Sequence, residues 1–329
     1  MHWTVVLTSL FVGLPTLGYA LGAPWLGVCV GVVVVPLAEW LCGQRSFSRP
    51  IQSAWVLRLL MLAVMAQVVL LALLSPTLDT GPRVWLALSM GYVSGGVGIV
   101  LAHELGHRRG AIDQWLARLL LVCVAWGPYR MEHNRGHHRH AATFDAPATA
   151  RAEESLYRFM PRYLRGVYVN GWRLSTRPHA RWHEASTLVL MSVALAGLLW
   201  LVGGTASAGF WLLQAATAVF LVTAVDYIEH WGLRRQATPN GLERMGPGHT
   251  WDCGNGVAEA LLFHLPRHAH HHLAPGLQGH ELQRTPQAPQ MPTGYAGMVL
   301  LTLVPPLFRR VMEPRLTQYA HHPPETPHR

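Results

Sequence analysis

The chain has 329 residues, half of them hydrophobic and only 13% charged, with a formal net charge of +9. That apolar weight excludes an ordinary two-domain soluble protein and points to a polytopic membrane protein. The basic excess forms no stripe interleaved with aromatics, which argues against nucleic acid. The four cysteines (Cys29, Cys42, Cys123, Cys253) include no CxxC pair, so neither a disulfide framework nor an iron–sulfur module is encoded.

A membrane crossing needs about 20 apolar residues. Six segments meet that requirement, at roughly 3–21, 24–42, 55–75, 84–102, 187–204 and 209–228, and they pair as three hairpins with short outer turns. The first has no Arg or Lys before it and runs into the second, so it is expected to be a retained span rather than a signal peptide. Every basic residue is arginine; thirteen lie in 103–184 and nine in 231–329, whereas the outer turns carry only Arg83. The positive-inside rule then predicts both termini in the cytoplasm, together with 103–186 and 229–329. The expected architecture is one all-α, membrane-embedded domain over 1–329, with a histidine-rich cytoplasmic cap.

Between and after the spans, 111–128 reads as a short helix lying in the membrane interface. Residues 141–184 read as a polar cap and 235–256 as Gly/Pro-rich loop. A further apolar helix is expected over about 257–272. The apolar stretch 294–312 is broken by Pro305 and Pro306, and the last ten residues read as a tail.

Twenty histidines are far more than ordinary usage. Nine gather where the spans reach the cytoplasm: His103 and His107; His133, His137 and His138; His230; His268, His271 and His272. Residues at i, i+3 and i+4 share a helix face, so HxxxH, HxxxHH and HxxHH each aim imidazoles in one direction. Nine imidazoles exceed the three or four that one zinc takes and suit two metals with four or five ligands each; ligand type alone leaves iron, copper, zinc and nickel open. His140, His179, His183, His249 and His280 read as cap or surface, and His2, His321, His322 and His328 as terminal.

"HELGH" at 103–107 also matches a zinc protease motif, in which two histidines bind the metal and the glutamate is the base. That reading leaves the other seven clustered histidines without a role. A ferritin-type site needs two ExxH motifs on facing helices, and among the clustered histidines only Glu104–His107 has that spacing. A metal transporter using histidine as a relay is a further alternative.

Four stretches, "HELGH" (103–107), "EHNRGHH" (132–138), "DYIEHWGL" (226–233) and "LPRHAHHHLAP" (265–275), together with 288–316, resemble the integral-membrane alkane 1-monooxygenases, relatives of xylene monooxygenase and membrane fatty-acid desaturases. The resemblance implies two non-haem iron ions held by the nine histidines. It also implies O2-dependent hydroxylation of the terminal methyl of medium-chain alkanes, and electrons from rubredoxin or a similar small acidic carrier. It further implies the inner membrane as the location; a methyl-aromatic hydroxylase or an acyl desaturase on the same scaffold is the nearest alternative. The chain departs from the family pattern at Arg108, Asp226, Pro266 and His270. Glu104, Glu132 and Glu229 each adjoin a proposed ligand, where a carboxylate would accept an imidazole N–H; direct metal contact and helix capping are the other roles open to them.

Overall fold

Leucine and valine every third or fourth residue give the segment after Ser53 a buried stripe, Leu57, Leu60, Met61, Val64, Val68 and Leu71, while Leu59, Leu62, Leu70 and Leu73 face outward. The result in the computed structural model, which describes residues 3–46, 50–176, 183–239 and 241–321, is a helix from Ala54 to Leu74. Its N-terminus is capped by the Ser53 hydroxyl. His2, His179, His322 and His328 lie outside the described residues.

The chain is mostly helical, and four described helices are long and apolar enough to cross a membrane: Trp3–Ala20, Ala54–Thr77, Thr80–Gly106 and Glu184–His230. Three of the six expected segments differ in form. The segment expected at 24–42 is the shorter helix Leu26–Cys42, because the chain turns at Gly22 (φ 67°) before helix resumes. The last two expected spans merge into Glu184–His230, interrupted only at Gly204 (φ 64°, ψ −156°), a conformation open essentially to glycine. Ser192 Oγ and Gln214 Nε2, one from each limb, donate to the neighbouring carbonyls of Val122 (3.2 Å) and Cys123 (2.8 Å). The limbs therefore lie side by side, with the chain reversing at Gly204.

The second limb packs tightly on helix Thr80–Gly106, through glycines. A Cβ on Gly91 would stand 2.5 Å from Thr217 Cβ, and one on Gly95 2.8 Å from Ala218 Cα. Small residues of this kind are what let two helix backbones approach where lipid supplies no hydrophobic drive.

Beyond the spans, the short helix Ala111–Cys123 forms as expected, pinned by a two-bond contact from Arg58 to Asp113 (2.7 and 3.1 Å). The polar stretch 141–184 contains an unexpected amphipathic helix, Leu156–Ser175, burying Leu156, Phe159, Tyr163, Val167 and Gly171 on one face. Several arginines form ion pairs: Arg130 grips Glu184 with two bonds (2.6 and 2.8 Å), Arg118 adds a third (3.1 Å), and Arg162 and Arg267 pair with Glu154 and Glu259. Such forked, partly buried pairs hold geometry more firmly than exposed ones.

The helix expected over 257–272 is instead two helices, Gly256–Leu261 and His268–Leu273. Phe263 (φ 53°) and His264 (φ 66°) turn the chain left-handed between them, and Pro266 supplies no N–H to continue a helix. The stretch 294–312 divides at Pro305 as expected, into Tyr295–Thr302 and Pro305–His321. Within 235–256 the loop includes a two-residue hairpin, Ala237–Thr238 with Gly241–Leu242.

Candidate metal centre

Four separate pieces of chain deliver the histidines. His103 ends the Thr80–Gly106 run and His107 follows it; His230 ends Glu184–His230; His133, His137 and His138 come from the short helical segment 129–140; and His268, His271 and His272 come from His268–Leu273. All nine converge in two groups, His103, His107, His133, His138 and His271 in one, and His137, His230, His268 and His272 in the other. Within each group the nitrogens that face one another lie within 4.8 Å.

The division does not follow the i, i+4 spacing throughout. His133–His137 is a π turn, whose wider period brings residues five apart onto one side. His133 therefore meets His138 (Nε2 to Nε2, 3.1 Å), while His137 turns to His272 (3.1 Å). His271 and His272 are likewise adjacent in sequence and belong to different groups, so the two groups must lie side by side.

His271 Nε2 stands 3.1 Å from Nε2 of both His103 and His138. In the other group His272 Nε2 is 3.0 Å from His268 Nε2, which is 3.4 Å from His230 Nε2. One N–H cannot serve two such contacts, but lone pairs around a shared cation can. Nitrogens about 2.1 Å from one ion lie about 3.0 Å apart at a right angle and about 3.4 Å apart at the tetrahedral angle. His107 Nε2, buried in the first group, has no hydrogen-bond partner, which leaves its lone pair available as well. The donor set thus fits two metal ions.

Burial keeps these imidazoles neutral, the form that binds metal. It is the largest influence on His133, His137, His268, His271 and His272, all held well below the ordinary value, with neighbouring imidazoles adding to it. His107 is pushed down to about 4 by burial and then by Arg130, and His138 to about 3 by burial, His107 and His230.

The three glutamates occupy different surroundings. Glu104 takes a hydrogen bond from Arg108 (3.1 Å) and another from the Gly279 N–H (3.0 Å). Glu132 is buried with Oε1 unpartnered, and burial followed by the charge of Asp226 pushes its carboxyl up to about 8. Glu229 Oε2 lies 3.2 Å from His268 Nε2, and its Oε1 accepts from the Tyr295 hydroxyl (2.9 Å).

Sequence reasoning gave no role to several residues that support the centre. His249, expected in the cap or at the surface, is buried, and its carbonyl accepts from His230 Nδ1 (3.1 Å), which turns His230 Nε2 inward. His183, also expected in the cap or at the surface, caps helix Glu184–His230 through Nδ1. Asp252 accepts the Ala269 N–H (2.6 Å), fixing the start of His268–Leu273. The departures Pro266 and His270 point to the scaffold: the Pro266 carbonyl accepts from Cys253 N–H (3.0 Å), and His270 Nδ1 accepts from Gln283 N–H (3.1 Å). His270 belongs to neither group.

An apolar slot adjoins the centre. His103, His133 and His268 line it together with Gly96, Val97 and Val100, Leu221, Val222 and Val225, and Leu261, Leu262 and Leu265. Phe11, Val35 and Tyr92 of the N-terminal helices and the helix Thr80–Val93 also contribute. Glu39 is among its few polar groups; its carboxylate accepts from the N–H groups of Ala296 (3.1 Å) and Gly297 (2.8 Å), favourable partners at a helix N-terminus.

Residues 80–301 match the family model described as fatty acid desaturase. The alkane 1-monooxygenase of Ectopseudomonas oleovorans is 37% identical over 255 residues, 73% of this chain and 63% of that protein. Alkane 1-monooxygenase 1 of Pseudomonas aeruginosa is 39% identical over 242 residues, 70% of this chain and 63% of that protein. The xylene/toluene monooxygenase hydroxylase component of Pseudomonas putida is 25% identical over 241 residues, 70% and 64% of the two chains. The chain spans a little under two thirds of the length of these relatives.

Proposed function

The chain belongs to the fatty acid desaturase family and is similar to alkane 1-monooxygenases, and from that premise we propose that it is a di-iron alkane 1-monooxygenase of the inner membrane. It would act as a single membrane-embedded domain with six crossings and both termini cytoplasmic. The observation that carries the reading is the meeting of two imidazole groups with an apolar slot, through His103, His133 and His268.

In this reading the nine histidines hold two iron ions, which supply the redox chemistry that reduces O2 and opens an unactivated C–H bond. One oxygen atom enters the terminal methyl of a medium-chain alkane, the other leaves as water with two protons from solvent, and two electrons come from a rubredoxin-type carrier. An alkane offers no charge or hydrogen bond to grip, so the slot walls position it by shape. Neutral imidazoles keep their lone pairs for metal, Glu229 Oε2 stands on the metal-facing side of His268 beside Nε2, and Tyr295 orients Glu229. Glu104 is committed to Arg108 and Gly279, which speaks against its serving as the base of a zinc protease.

Membranes given O2, a rubredoxin and octane are expected to form 1-octanol, with close to two irons per chain. An unsaturated acyl product would make the protein a desaturase, a benzylic alcohol from a methyl-aromatic would widen its substrate class, and one zinc with no oxidised product would end the oxygenase reading.

A further inference from the structure

Phe144 is 44% exposed, and two guanidinium groups stand over its ring, Arg234 at 3.9 Å and Arg151 at 4.7 Å from the centroid. Arg235 ties the two segments that carry them: its N–H meets the Ala142 carbonyl (2.9 Å), Nη1 the Arg139 carbonyl (3.2 Å), and Nε the Glu243 carbonyl (2.6 Å). The outcome is a basic patch with a fixed aromatic at its centre; Asp145 and Glu243 are acidic members, and Glu154, paired mainly with Arg162, also takes the Arg151 N–H (3.3 Å). Cation–π contacts hold an exposed ring in one orientation, so little side-chain freedom is lost when something covers it.

The patch also has a defined position. Arg139 follows His138 directly, and His138 belongs to the five-histidine group; Arg234 lies four residues beyond His230 of the four-histidine group. The patch is therefore an exposed surface joined by short stretches of chain to both groups, which are themselves almost wholly buried.

We propose that the patch of Arg139, Phe144, Arg151, Arg234 and Arg235 is the docking surface of a small acidic protein that delivers electrons to the histidine centre. This rests on the oxygenase reading above, which requires two electrons from outside. Positive charge around an apolar centre is the complement of an acidic carrier with an apolar rim near its redox group, and charge pairing of this kind governs the association rate. A protein partner fits better than an anionic membrane, because an aromatic core with a charged rim is interface anatomy. In addition, among the described residues the segments 139–151 and 231–244 contain no apolar helix that could insert.

The test uses the full chain in nanodiscs of zwitterionic lipid, with a rubredoxin as carrier, and compares Arg151→Glu/Arg234→Glu and Phe144→Ser with the unaltered protein. Carrier affinity is read directly by binding titration at several salt concentrations, alongside octane turnover driven by the carrier or by dithionite. The double reversal is expected to weaken carrier binding and raise its KM by about tenfold or more and to flatten the salt dependence. Dithionite-driven turnover and metal content should hold within about twofold, since neither altered group touches the histidines.

Unchanged affinity and salt dependence in both variants would overturn the proposal. So would variants that lose only co-sedimentation with phosphatidylglycerol vesicles, which would make the patch a lipid contact. Failure of dithionite to produce alcohol in the unaltered, metal-loaded protein would count against the oxygenase reading itself, while the binding titration would still decide the docking surface.

Discussion

The Tyr295 hydroxyl donates to Glu229 Oε1 at 2.9 Å, and the opposite oxygen of that carboxylate lies 3.2 Å from His268 Nε2. Tyr295 opens a helix whose first N–H groups are held by Glu39, so a residue on the second helical segment helps set the position of a group beside the histidines. Tyr295→Phe removes only the hydroxyl. It is expected to leave the fold intact at a cost of about 1–3 kcal/mol for the unpartnered buried carboxylate oxygen. Metal affinity should fall by about ten- to a hundredfold, read by titration of chelator-treated protein; unaltered affinity would show that Tyr295 does not orient Glu229 toward the centre.

Histidines in the same stretch should differ sharply in their contributions. His138→Ala and His271→Ala each remove a member of the five-histidine group. Both variants are expected to insert normally, to lose metal and to form no detectable product. His270→Ala, two residues from His268 and one from His271, removes only a contact to the Gln283 N–H and should keep its full metal content. Elemental analysis of the three purified variants separates these outcomes; a metal-replete His271→Ala would remove it from the ligand set.

The depressed imidazoles make the metal-free protein sensitive to acid. An unfolded histidine takes up a proton near pH 6.5, whereas His107 in the folded chain does so only at about 4 and His138 at about 3. Between those values the unfolded chain binds more protons, so stability is complete above about pH 6.5 and is lost progressively as pH falls toward the folded values. Each unit of depression corresponds to about 1.4 kcal/mol as an upper bound. Thermal melts of chelator-treated protein should therefore show a lower Tm at pH 5 than at pH 7.5. Added metal should raise Tm more at the higher pH, because protons compete for the same lone pairs.

Much of this centre was legible in the sequence, since histidine spacing and apolar run length are local properties. The convergence of His103, His107, His133, His137, His138, His230, His268, His271 and His272 is where the four stretches pointed. Their partition was not legible: it depends on a π turn over His133–His137, and helical spacing would have kept His133 with His137. Tyr295 and His249 carried no local sign, because their partners Glu229 and His230 are 66 and 19 residues away. The expected single helix over 257–272 failed where two left-handed residues, Phe263 and His264, overrode an apolar pattern that helix and turn share. At Gly204 the division between 187–204 and 209–228 was visible as a glycine pair, and the reversal there is that of the hairpin expected from the two apolar runs.

Neighbouring glycines on helix Thr80–Gly106 give the last prediction, since Gly95 and Gly96 face opposite requirements. A Cβ on Gly95 would stand 2.8 Å from both Cα and the carbonyl oxygen of Ala218, backbone atoms that cannot swing aside. Gly95→Val should therefore push the second limb of Glu184–His230 away, at an overpacking cost of about 1–3 kcal/mol or more, and disturb His230 at the end of that limb. A Cβ on Gly96 meets nothing within 4 Å, and Gly96 lines the slot. Gly96→Val should accordingly keep its Tm and metal content while occupying space meant for substrate, so that turnover of bulkier hydrocarbons falls before that of slender ones. Parallel measurements of melting, metal content and product distribution on the two variants test the packing and the slot separately. Equal loss of Tm in both would mean that Gly96 does not face open space.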